Sequence, residues 1–313
     1  MKFNRSAASR SSLDLPPKAY RIAWCSIYGV EALLIVITNL LTIILFALNK
    51  KLRKKSLLFV ISMAFADLMF GIVLPFRIYF LGHHYQLWTG RLYNALRNFC
   101  DISLKIFLRV SLTSAALMTG ERFYAIYWPL KHRTLTDRAY FIVIAMVWVL
   151  TALLCTILFP RLRFTTLDAK HIVHAFAAYL LALLVIVCGC NIGIWRKFQR
   201  RSIAPQQQNR AAQNQRLTKT LLFVSFVAVL SWLPHILGKF LNLRSNVSPT
   251  AKYIFQAALL LSYSNSFLNA VVYALRIPEF KQALGACFFR RQALMIKAEI
   301  GRASCRERVY VLV

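Results

Sequence analysis

Five polar side chains interrupt runs that are otherwise apolar: Asn39, Asp67, Ser111, Asn265 and Asn269. A charge at the middle of a helix in hydrocarbon costs roughly 2.5 to 3.5 kcal/mol on insertion scales, so each such residue asks for a reason. Singly, each reads as a polar group satisfied by a neighbouring helix. Together, they can form one buried network around the Asp67 carboxylate, whose charge a small cation or a proton would relieve. Glu121 and Arg122 make a second constellation. An adjacent acid and base can neutralise each other in a closed arrangement and release the guanidinium to a partner in an open one, as a switch requires. A purely structural ion pair at a membrane edge is the competing account. Asp101, Lys105 and Arg109 follow an i, i+4, i+8 pattern that places them on roughly one stripe of a helix, and Arg77 and Lys239 can join them. Such a set is net cationic and favours an anionic ligand: a lipid phosphate, a nucleotide, a carboxylate or an acidic peptide. The alternative is an Asp101 to Lys105 helix pair with Arg77 and Lys239 snorkelling.

Other chemistries lack their residues. His83, His84, His171, His174 and His235 have no acidic partner at ligand spacing, so neither a metal set nor a nucleophile with its base emerges, and an enzyme is not expected. The seven cysteines show no metal-like pairing. A formal net charge of +30 would suggest nucleic acid in a soluble protein, but Lys and Arg sit between long apolar runs rather than on an aromatic-laced stripe. No internal repeat of the kind found in secondary transporters is visible.

These residues need a scaffold that lipid tolerates. With 58% hydrophobic and 16% charged residues, the 313-residue chain is too apolar for an ordinary soluble domain. Seven windows can each cross about 30 Å of hydrocarbon as helices: about 22–48, 56–81, 93–126, 138–159, 172–195, 216–241 and 250–275. The fold class is therefore an all-α membrane protein, a seven-helix bundle. Lys50, Lys51, Arg53, Lys54 and Lys55, then Lys131, Arg133 and Arg138, then Arg196, Lys197, Arg200 and Arg201 fall in loops on one side, which places that side in the cytoplasm and the amino terminus outside.

Residues 1–21 read as an extracellular tail without a signal peptide, with a glycosylation sequon at Asn4. The seven-span body would occupy 22–277. The glutamines at 206–208 and 213–215 read as a solvated helical extension ahead of the sixth span. Residues 278–291 read as an amphipathic helix on the inner membrane surface, with Phe280, Leu284, Phe288 and Phe289 facing lipid. There Cys287 is placed for palmitoylation or stays an unmodified cysteine. Residues 292–313 would form a cytoplasmic tail, of which about 300–313 reads like a sequencing adapter translated in one frame and is set aside from the fold.

Pro234 removes a helical hydrogen bond and predicts a pivot in the sixth span, with Trp232 facing inward half a turn away. In this context the sequence resembles the rhodopsin-like (class A) G-protein-coupled receptors from about residue 25 to 290. Glu121-Arg122-Phe123 resembles that family's Glu/Asp-Arg-Tyr motif and is followed by Trp128-Pro129-Leu130. Trp148 matches its fourth-span tryptophan, Ser231-Trp232-Leu233-Pro234 resembles Cys-Trp-x-Pro, and Asn269-Ala270-Val271-Val272-Tyr273 resembles Asn-Pro-x-x-Tyr. The resemblance implies that Arg122, Leu130 and Tyr273 meet a heterotrimeric G protein. It implies that Asp67, Ser111, Asn265 and Asn269 hold an allosteric sodium ion, no other cofactor being expected. It also implies arrestin and a receptor kinase as partners, an extracellular ligand, and a place in the plasma membrane.

Several positions depart from the family. Arg97 stands where the outer cysteine of the third span is usual, and the second outer loop, about 160–171, has none, so the common outer disulfide is not expected. The fifth span has no proline, Asn191 replaces a tyrosine, Ala228 a phenylalanine, Ala270 a proline, and Asn214 offers no acid to Arg122. A missing outer disulfide, a short loop and no fifth-span proline resemble the melanocortin, lysophospholipid and cannabinoid branch. Leu104 occupies the position of the amine receptors' aspartate, against a monoamine ligand, and Tyr263 that of the opsin lysine, against light sensing. The resulting expectation is a receptor whose sixth helix swings outward on ligand binding. A seven-helix binder that does not couple to G proteins, a decoy or an arrestin-biased protein, is the alternative.

Overall fold

The computed structural model describes residues 17–49, 55–84, 94–161, 166–199, 208–241, 248–276, 280–282 and 285. Among them are seven long helices: span 1 (Lys18–Leu48), span 2 (Leu58–His84), span 3 (Asn94–Tyr127), span 4 (Asp137–Arg161), span 5 (Thr166–Gln199), span 6 (Gln208–Phe240) and span 7 (Pro249–Arg276). Six are long and apolar enough to cross a membrane. Span 7 has 28 residues, about 42 Å at 1.5 Å per residue. Its apolar character is diluted by the buried Ser262, Asn265, Ser266 and Asn269, which face the bundle rather than lipid. All seven expected windows fall on helices among the described residues. Span 6 begins at Gln208, so part of the glutamine-rich stretch is indeed helical extension.

The spans alternate in direction. One buried cluster joins Phe46 at the end of span 1 with Phe59 and Met63 near the start of span 2, Met118 late in span 3, Tyr140 at the start of span 4 and Tyr273 late in span 7. A second, at the opposite end, joins Tyr28, Phe70, Leu74, Leu104 and Tyr263. A third lies between them around Trp232, with Leu112, Leu180, Leu184 and Ile236. Span 3 touches spans 2, 4, 5 and 6 and is the axis of the bundle, whereas spans 4 and 5 barely meet. The outward faces are apolar, as lipid requires: Leu33, Ile37, Ile142, Val185 and Phe226 are all more than half exposed.

Two glycines set close approaches. A Cβ on Gly71 would lie 2.9 Å from both Ile35 and Val36, so span 2 sits tightly on span 1 only because that side chain is missing. On Gly193 of span 5 it would lie 2.5 Å from the ring of Phe123.

Two features differ from expectation. The second inner loop contains a short helix, Pro129–Thr134, opened by proline in its first turn. Phe280, expected to face lipid, is 2% exposed and packs edge-on against Phe46 with ring centroids 6.0 Å apart. An aromatic ring near the foot of spans 1 and 7 is worth more inside the inner core than at the headgroups. Asn4, Cys287 and residues 286–313 lie outside the described residues.

Candidate functional site

At the inner end, span 3 carries Glu121 and Arg122 into the bundle, 9% and 8% exposed. Arg122 Nε lies 2.7 Å from Glu121 Oε2, an ion pair whose angle does not suit a hydrogen bond. The other carboxylate oxygen has two further partners: His132 Nε2 at 2.7 Å and the Tyr140 hydroxyl, which donates at 3.1 Å. Tyr140 and His132 also lie 3.2 Å apart. The loop helix positions His132 and the first turn of span 4 positions Tyr140, so three elements close on one carboxylate. Neither His132 nor Tyr140 was singled out from sequence. Both come from segments that looked merely basic or apolar, and their relation to Glu121 exists only in three dimensions. Beside this clasp Leu130 and Trp128 are exposed, Leu130 at 77%. Tyr273 is buried, with its hydroxyl 4.0 Å from the sulfur of Met118.

At mid-depth, Asp67 is fully buried and neither carboxylate oxygen has a hydrogen-bond partner. Ser111, Ser266 and Asn269 are the polar side chains within interaction range. The Ser111 hydroxyl and the side-chain oxygens of Asn265 and Asn269 are likewise buried without partners. Asn269 turns its amide toward the Met63 sulfur, 3.5 Å away, and Asn39 donates to the carbonyls of Ile35 and Ser266, each at 2.9 Å. Asn39 thus braces span 7, while Asp67, Ser111 and Asn269 gather buried oxygens within reach of one another. Hard cations take oxygen donors, so this donor set fits a sodium ion. Ser266 is the member that sequence reading missed. It neighbours Asn265 in a serine-rich stretch where helical phase alone did not separate inward from outward positions.

Between these levels, span 6 continues as helix through Pro234. Trp232 is 4% exposed and faces inward as expected, with its ring edge toward His235, centroids 6.4 Å apart.

The outer cationic set divides. Arg77 reaches Asp101 across spans 2 and 3 at 3.5 Å, so the carboxylate pairs with the neighbouring helix. Arg109 turns the other way. Its guanidinium donates to the Lys105 carbonyl at 3.1 Å, lies 3.6 Å from the Cys155 sulfur and stacks 4.1 Å over the ring of Phe176. Eight residues turn a helix about 80° beyond two full turns, enough to send Asp101 and Arg109 to different neighbours. Lys105 also lies within electrostatic range of Cys155, and Lys239 is half-buried near the top of span 6. Asp101 and Arg109, expected on one stripe, thus face different neighbouring helices. Cys100 is a buried free thiol, as the absent outer cysteine requires. Glu31, not singled out from sequence, is 4% exposed in span 1 and accepts a hydrogen bond from Ser264 at 2.8 Å.

The family model described as "7 transmembrane receptor (rhodopsin family)" matches residues 38–273. The chain belongs to that family. Members of it are multi-pass membrane receptors, not enzymes. The receptor is similar to the Gq-coupled rhodopsin of Mizuhopecten yessoensis, 27% identical over 83% of the chain, of whose length it spans 59%. It is also similar to adenosine receptor A3 of Ovis aries, 26% identical over 90% of the chain and 92% of that protein. Its fold matches the crystal structure of squid rhodopsin with a TM-score of 0.74 at 18% identity, covering 88% of the chain and 87% of the rhodopsin.

Proposed function

We propose that this receptor converts an extracellular, anionic or lipid-like ligand into activation of a heterotrimeric G protein, from the plasma membrane with its amino terminus outside. The observation that carries the reading is the clasp at Glu121: a buried arginine neutralised by its neighbour, with His132 and Tyr140 holding the carboxylate, beside the exposed Leu130. Such an element has two arrangements, and a partner that takes Arg122 favours the open one. Span 6, hinged at Pro234 and contacted from above through Trp232, is the part that moves outward. Sodium held at Asp67 would stabilise the closed arrangement. The relative named as Gq-coupled supports coupling as the family's mode of output. Light is not the input: Tyr263 is buried between Tyr28 and Phe70, and a phenol cannot form a Schiff base.

The test is G-protein activation in cells expressing the chain, challenged with lysophospholipids, nucleotides, carboxylates and acidic peptides beside an Arg122→Ala control. A response that the control abolishes supports the reading. A second reading, a seven-helix binder without coupling, is favoured by Ala270 in place of proline and by Asn191, whose side-chain oxygen is buried without a partner. Silence with and without ligand at normal surface expression would favour that second reading or a ligand class outside those tried.

A further inference from the structure

Outside the clasp and the buried network, the molecule has a cleft of about 390 Å3 where spans 3, 4 and 5 come together. That volume lies within the ~300–1,000 Å3 of small-molecule sites. Its walls are almost entirely carbon: Leu154 from span 4, Ile172, Ala175 and Phe176 from span 5. Its polar groups are Thr151, His171, Tyr179 and Arg109, the last 8% exposed with its Nε buried without a hydrogen-bond partner. Among the described residues no carboxylate pairs with this guanidinium. The cleft opens toward lipid, because spans 4 and 5 barely touch and Leu154 is half exposed.

We propose that this cleft binds a single-chain lipophilic carboxylic acid, with its carboxylate on Arg109 and its chain along Leu154, Ile172 and Phe176. The proposal deepens the anionic-ligand reading above and rests on it. Three observations select this chemistry. A guanidinium with an unengaged N–H and no acidic partner calls for an anion, and the Phe176 ring, 4.1 Å from its central carbon, holds it against the cleft wall. Arg109 lies about 22 Å along span 3 from Asn94, deep in the hydrocarbon layer. A carboxylic acid reaches that depth through lipid in its neutral form and, on pairing with Arg109, passes its proton to the imidazole of His171, which lines the same cleft. A phosphate monoester keeps charge and does not. The apolar walls then accommodate an acyl chain, for which a hydrophilic carboxylate has no substitute.

The experiment is saturable binding of tritiated hexadecanoic acid to the full chain in nanodiscs of a zwitterionic phospholipid, with thermal unfolding of each variant measured alongside. The expected result is binding that Arg109→Gln weakens at least tenfold and Arg109→Lys weakens less. Ala175→Trp, which fills the cleft and leaves the guanidinium in place, also weakens it at least tenfold. Acetate, 1-hexadecanol and hexadecyl phosphate compete poorly. Equal competition by 1-hexadecanol would show a plain hydrophobic site and overturn the proposal. So would the absence of saturable binding, or wild-type binding in both Arg109→Gln and Ala175→Trp. Because no G protein takes part, a negative result here leaves coupling standing, and a silent coupling assay leaves this binding standing.

Discussion

At the scale of single residues, the Glu121 carboxylate gathers an arginine, a histidine and a tyrosine from three elements. Hydrogen bonds to a charged group contribute about 1.5–3 kcal/mol, and 1.4 kcal/mol is a tenfold change in an equilibrium. Tyr140→Phe removes one such donor without changing the ring that packs on Phe59. Basal G-protein activity of that variant is expected to rise about tenfold, read as agonist-free nucleotide exchange at matched surface level; an unchanged basal rate would mean that Tyr140 only packs. Asp67 is the second residue with a sharp consequence. Its two carboxylate oxygens lie buried beside the oxygens of Ser111 and Asn269, a donor set that suits a small cation. Asp67→Asn is therefore expected to abolish the effect of sodium on agonist affinity while surface expression holds. If agonist affinity keeps its sodium dependence in that variant, the ion does not bind there.

At the scale of elements, the bundle depends on helices that approach closely at particular points. Gly193 lets span 5 approach the Phe123 ring, one residue from Arg122, and its carbonyl accepts a hydrogen bond from Tyr127 at 3.0 Å. Gly193→Val forces either the ring or the helix to shift, and such overpacking costs about 1–3 kcal/mol. Its unfolding midpoint in detergent is expected to fall by several degrees, with Gly189→Val, which meets open space, as the control that stays near wild type. Span 6 carries the other element-scale expectation. Pro234→Ala restores a backbone donor and stiffens the hinge, so maximal agonist response should drop several-fold with ligand affinity little changed. A full response from that variant would place the pivot elsewhere.

At the scale of the whole molecule, orientation is testable directly. With the amino terminus outside, Lys131→Cys on the loop helix should react with a membrane-impermeant thiol reagent only after cells are permeabilised; labelling of intact cells would invert the topology. How much of this was legible beforehand follows from the physics of lipid. A backbone in hydrocarbon must satisfy its own hydrogen bonds, so long apolar windows could only be helices, and all seven were readable, with spans 5 and 6 starting well ahead of their windows, at Thr166 and Gln208. The inward positions of Asp67, Asn39 and Trp232 followed from the same cost of placing polar or bulky groups in lipid. Ordering of motifs along those windows then pointed to the family. What chain order could not carry was which neighbour each inward side chain meets. That Glu121 is held by His132 and Tyr140, that Phe280 turns into the core, and that Asp101 and Arg109 part company toward different helices are consequences of packing angle and rotational phase. Those are decided only when seven helices settle against one another, because contacts between residues far apart in sequence leave no periodic trace within any one of them.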